Sequence, residues 1–108
     1  MAGFLEAVVM LFPLDLGGPA HEISPREGSY RPFARVSATG ERFRVRMIEG
    51  PPLLAPGDTA RAVFEIESDI TPIAGGSEAD LIELEGRIVG AMTVVRHWHA
   101  GRPLPVTA

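Results

Sequence analysis

The chain has 108 residues, a net charge of −4 at neutral pH, and neither cysteine nor lysine. That length suits one domain able to bury its own core. The missing residues exclude disulfides, thiolate chemistry, Schiff-base lysines and a P-loop lysine, and the acidic balance argues against general nucleic-acid binding.

All ten basic residues are arginines, and asparagine and glutamine are also absent. Such a bias is expected of a GC-rich, bacterial genome. No apolar run approaches the roughly 20 residues of a membrane-spanning helix. The apolar start lacks a basic leader and a small-residue cleavage site, so the expected location is the cytoplasm.

Ten prolines and twelve glycines punctuate the chain, and between them lie short alternating or apolar runs. That pattern predicts an all-β barrel or sandwich, because strands repeat every two residues and no stretch keeps a helical period. Residues 4–12 read as the first strand. Leu5, Ala7, Val9 and Leu11 lie on one face, and Phe4, Glu6, Val8 and Met10 on the other. Both faces are largely apolar, so the second is expected either to meet a partner or to be covered by the chain's own loop or tail. Residues 13–28 form a long loop, and 30–37 a second strand entered through Arg31-Pro32. In 42–49, Phe43, Val45 and Met47 point inward and Arg42, Arg44 and Arg46 outward.

Pro56-Gly57-Asp58 is a tight turn. In 59–67, Ala60, Ala62, Phe64 and Ile66 face the core, and Arg61, Glu65 and Glu67 face out. Residues 69–80 read as a loop around Gly75-Gly76, and 81–85 with 87–97 as a final hairpin through Gly86. The expected domain spans 4–97, with 98–108 a loosely ordered tail. About six strands result, enough to close a small barrel without free edges.

Four phrases occur in a fixed order: Gly17-Gly18 with His21, Ser29-Tyr30-Arg31-Pro32 before Phe33, Ala55-Pro56-Gly57-Asp58, and Glu85-Gly86-Arg87-Ile88-Val89-Gly90-Ala91. In order, spacing and strand pattern they resemble the C-terminal β-barrel domain (domain 3) of the translation elongation factor Tu and 1-alpha family. The resemblance covers roughly residues 4–96. It implies a six-stranded closed antiparallel barrel of Greek-key type, freestanding here, without a GTPase domain, GTP site or cofactor.

In that family the His-bearing loop and the Glu-Gly turn lie near the surface that meets aminoacyl-tRNA. The resemblance therefore makes His21, Tyr30, Arg31, Glu85 and Gly86 candidates for partner or RNA contact. The chain departs from the pattern in four places, one being a longer loop before Tyr30. Pro19-Ala20 stand where the family has an arginine before the histidine. The glutamine after Arg-Pro is absent, and the closing turn has one glycine fewer. A lost loop arginine is a lost bidentate phosphate ligand, which weakens the case for tRNA.

Arg42, Arg44 and Arg46, with Arg31 and Arg35 on the preceding strand, form either a patch for RNA or an acidic partner, or a solvated face paired with Glu65 and Glu67. Glu83 and Glu85 share a strand face, read as an exposed hairpin surface. His97 and His99 flank Trp98 and could share a face suited to a metal, with His21 as a third ligand, but the sequence completes no ligand set. No catalytic motif such as Gly-x-Ser-x-Gly or His-Glu-x-x-His occurs. The expectation is a non-catalytic binding module acting through protein–protein contacts or self-association, with a place in translation by resemblance. An RNA-binding accessory role, on tRNA, is the alternative.

Overall fold

Strand β1 (Gly3–Leu11) alternates strictly, and its inward residues Leu5, Ala7, Val9 and Leu11 are fully buried. The computed structural model describes residues 3–67, 73–83 and 86–99. Five more strands follow: β2 (Phe33–Val36), β3 (Arg42–Glu49), β4 (Thr59–Ile66), β5 (Glu78–Ile82) and β6 (Ile88–His99). All pairings are antiparallel, and the order β1-β4-β3-β2-β5-β6 closes on itself. Strands β2, β3 and β4 run as a meander, and β1 lies beside β4, which is a Greek-key order. Closure leaves no free edge.

Alternation on each strand fills the interior. Phe64, Met47, Leu81, Ile66 and Met92 join the β1 residues, and no polar or charged residue is buried among the described residues. Gly90 lets the barrel close, because a Cβ there would lie 2.5 Å from the backbone oxygen of Met10 on β1. Gly18 answers a tighter demand: a Cβ would fall 1.8 Å from the Phe12 carbonyl oxygen. Both glycines permit backbone to approach backbone.

Two boundaries depart from the sequence expectation. Strand β5 begins at Glu78 rather than 81, because Ala79 and Leu81 both turn inward and pair with β2 and β6. A small inward alanine next to Gly75-Gly76 reads as loop when only side-chain size is weighed. Strand β6 continues through Trp98 to His99, two residues beyond the expected domain limit. It does so because Phe4 and Gly3 of β1 pair with those positions. The rest of the expected tail, 100–108, and Glu85 lie outside the described residues.

The topology sorts the loops by barrel end. The long 12–32 connection, the 50–58 connection and the turn before β6 share one end, since β1, β3 and β5 finish there and β2, β4 and β6 start there. The long loop is pinned at that end. Ile23 and Leu54 exchange backbone hydrogen bonds of 2.9 and 2.7 Å, and Arg26 Nε donates to the Gly50 carbonyl at 3.2 Å. On the outer face of β1, Phe4, Glu6 and Val8 are half-buried, Met10 stays 46% exposed, and Phe4 stacks on Trp98.

Candidate functional site

An open cleft of about 950 Å³ lies at this crowded end. Residues 19–24, Glu27, Ser29 and Tyr30 form one side, and Leu53, Glu83 and Arg87 the other. Its wall follows from local structure. Pro25 opens a short 3-10 turn (Pro25–Glu27), and the buried Ile23 and Pro25 fasten the loop inward. His21 and Glu22, just before Ile23, are left at the surface.

Tyr30 is the residue that joins the two sides. Its backbone oxygen accepts the Met47 N–H at 3.0 Å, and the Pro32 oxygen accepts the Val45 N–H, so the chain runs alongside β3 before β2 begins. The ring packs on the core, and its hydroxyl donates to Glu83 Oε2 at 3.0 Å. Arg87 Nη2 donates to Glu83 Oε1 at 3.4 Å across the turn. Both carboxylate oxygens are thus engaged, by residues 53 positions and 4 positions away. Burial, then the neighbouring Glu83 carboxylate, pushes the Tyr30 phenol far above its ordinary range. It therefore stays a neutral donor. Glu83 is not the exposed hairpin acid that alternation suggested: its side chain is only 20% exposed.

The candidate residues divide between two surfaces. His21 and Tyr30 line the cleft, and Gly86 stands exposed at the tip of the adjoining turn, where its N–H bonds to the Glu83 oxygen at 2.8 Å. Arg31 points away from the cleft, 3.5 Å from Glu67. Arg42, Arg44 and Arg46 lie on the outer wall of β3. Arg46 pairs with Glu65 directly across the β3–β4 ladder, as outward alternation predicts. Glu22, Glu27, Leu53 and Arg87 line the cleft without having been singled out from sequence. Only Arg87 carried a readable signal, a spacing of four from Glu83 around a glycine turn.

His97 and His99 do share a strand face, with ring centroids 5.2 Å apart. Nδ1 of His97 accepts the Ile73 backbone N–H at 3.1 Å. That places the proton of the neutral ring on Nε2, which is buried without a partner. Burial, then His99, lowers the His97 pKa. A nitrogen in that state is a donor rather than a metal ligand. His21 is committed to the cleft, and no group of three ligating side chains occurs among the described residues.

Chemically the cleft offers hydrogen-bonding and apolar contacts. Its one braced carboxylate has a donor on each oxygen, and among the described residues the Ser24 and Ser29 hydroxyls have no histidine or carboxylate hydrogen-bonded to them. No protein-family model matches the sequence, and comparison with curated proteins finds no match.

Proposed function

We propose that this barrel is a non-catalytic binding module of the elongation factor Tu domain 3 type, which docks a protein partner on the end that carries the cleft. The observation behind this reading is positional. The phrases around Gly18 and His21, Tyr30 and Pro32, Pro56 to Asp58, and Gly86 and Arg87 all belong to the same end of the barrel. Several do structural work there: Asp58 Oδ2 accepts the Ala55 N–H at 2.8 Å, and Gly57 and Asp58 bond with Leu11 at the end of β1.

The same end exposes apolar side chains that a free barrel has no reason to keep. Leu14, Leu16 and Leu53 are 64%, 70% and 55% exposed. Apolar residues rimmed by polar ones are the usual composition of an interaction surface. A partner within the translation machinery follows from the resemblance of the phrases alone.

Affinity capture from the source cell tests the reading. The native chain should retain one discrete protein, and Leu53→Glu should lose it while remaining folded. Retention of the same protein by Leu53→Glu would contradict docking at this end.

A further inference from the structure

The outer wall of β2 and β3 carries a second surface, independent of the cleft. Arg31, Phe33 and Arg35 face outward on one chain segment, and Arg42, Arg44 and Arg46 on its neighbour. Phe33 sits directly opposite Arg44, and Arg35 directly opposite Arg42. Like charges placed directly across a ladder repel one another, so this arrangement needs compensation.

The compensation is uneven. Among the described residues, Arg31, Arg35, Arg46, Arg61, Arg87 and Arg96 each contact a carboxylate, and Arg26 bonds to the Gly50 carbonyl. Asp80 answers Arg35 at 2.8 Å from the β5 side, while Glu65 and Glu67 answer Arg46 and Arg31 from the β4 side. Arg42 and Arg44 are the two described arginines that bond to neither a carboxylate nor a backbone carbonyl, in a chain with fourteen acids and ten arginines. Instead both lie against one ring: their guanidinium carbons are 5.1 and 4.8 Å from the centre of Phe33. A guanidinium held on an aromatic face is pre-organised, and its N–H edges remain available for oxygen acceptors.

We propose that this face binds an acidic, extended protein segment whose carboxylates fall on alternate residues. Arg42 and Arg44 are two residues apart on a strand, so their side chains are spaced by about 6.6–6.8 Å of strand rise. Alternate residues of an extended peptide have the same spacing, which lets one carboxylate meet each guanidinium in a bidentate pair. Phe33, on whose ring both guanidinium groups lie, holds the pair in register. Nucleic acid fits this surface less well. Its affinity comes from many phosphate contacts, whereas this face has two unmatched cations on a chain of net charge −4.

Fluorescence anisotropy with a labelled, acetylated peptide alternating glutamate and serine tests the proposal. Its glutamine analogue and a single-stranded RNA of equal charge serve as competitors. The acidic peptide should bind at low ionic strength, weaken with added salt, and be displaced by neither competitor. R42Q/R44Q should raise its Kd by about tenfold or more, since each of the two solvent-exposed ion pairs lost is worth about threefold or more. Arg26→Gln should leave it unchanged. Arg42→Gln, at an exposed position, keeps the test decisive should the double variant misfold. An unaltered Kd in these variants, preferential binding of the RNA, or no binding of the acidic peptide to the native chain would overturn the proposal.

Discussion

Tyr30→Phe removes one oxygen and leaves the ring, so it isolates the bond that joins the two sides of the cleft. The hydroxyl donates to a carboxylate at 3.0 Å, and Tyr30 and Glu83 are both half-buried. A hydrogen bond to a charged group contributes about 1.5–3 kcal/mol when buried. Partial solvent access at this site reduces that to about 1 kcal/mol. For a barrel of this size such a loss lowers Tm by about 4–8 °C.

The assay is thermal unfolding followed by circular dichroism at neutral pH, in a cycle with Glu83→Gln and the double variant. The coupling between the two sites should be close to the single-site loss, because they share one bond. Alkaline titration provides a second readout. The folded-state pKa of Tyr30 lies above its unfolded value, so its contribution is complete below about pH 10 and is lost as pH rises toward the folded value. Tyr30→Phe should abolish that alkaline loss. A Tm within about 1 °C of the native protein, with zero coupling and an unchanged alkaline limb, would refute the bracing role.

Two further outcomes follow from the geometry. Gly90→Ala should destabilise the barrel by about 1–3 kcal/mol, because its Cβ would press on the backbone of Met10 and Leu11 rather than on a side chain that can turn away. Urea unfolding measures this, and a loss below about 0.5 kcal/mol would show that β1 and β6 can separate without strain. His97 acts in acid. Its folded pKa lies below its unfolded value, so the stability it contributes is present above about pH 6.5 and falls as pH drops through the folded pKa. His97→Gln, which can still accept the Ile73 N–H, should flatten that part of the stability profile, and an unchanged slope would contradict the assignment.

Much of the fold is legible because alternation is a local property. Strands β3 and β4 show it without interruption, and the inward Phe43, Val45, Met47, Phe64 and Ile66 are all buried. Even the Arg46–Glu65 pair can be anticipated, since two outward-facing neighbours of opposite charge attract across a ladder. Strand β5 is harder to read. Its inward Ala79 is small, and its pairing with β2 joins segments more than forty residues apart, as Arg35 and Asp80 show.

The cleft was legible only in pieces. His21, Tyr30 and Gly86 stand out within recognisable phrases, but the cleft exists because Ile23 bridges to Leu54 and Tyr30 reaches Glu83. Neither contact has a local sequence signal. Glu83 looked solvent-facing because alternation assigns a face without saying what the loops lay over it. The division of the arginines was likewise invisible. Outward alternation marks Arg42, Arg44 and Arg46 alike, and only the ladder register shows that Arg46 meets Glu65 while Arg42 meets another arginine.

The most direct measurement for the central claim, that one barrel end docks a protein partner, is site-specific photo-crosslinking in the source cell. A photoreactive residue at position 53, in the cleft wall, should yield one discrete protein adduct, and the same probe at position 61, on the outer wall of β4, should yield none. Identical products from both positions, or no adduct from position 53, would contradict the account.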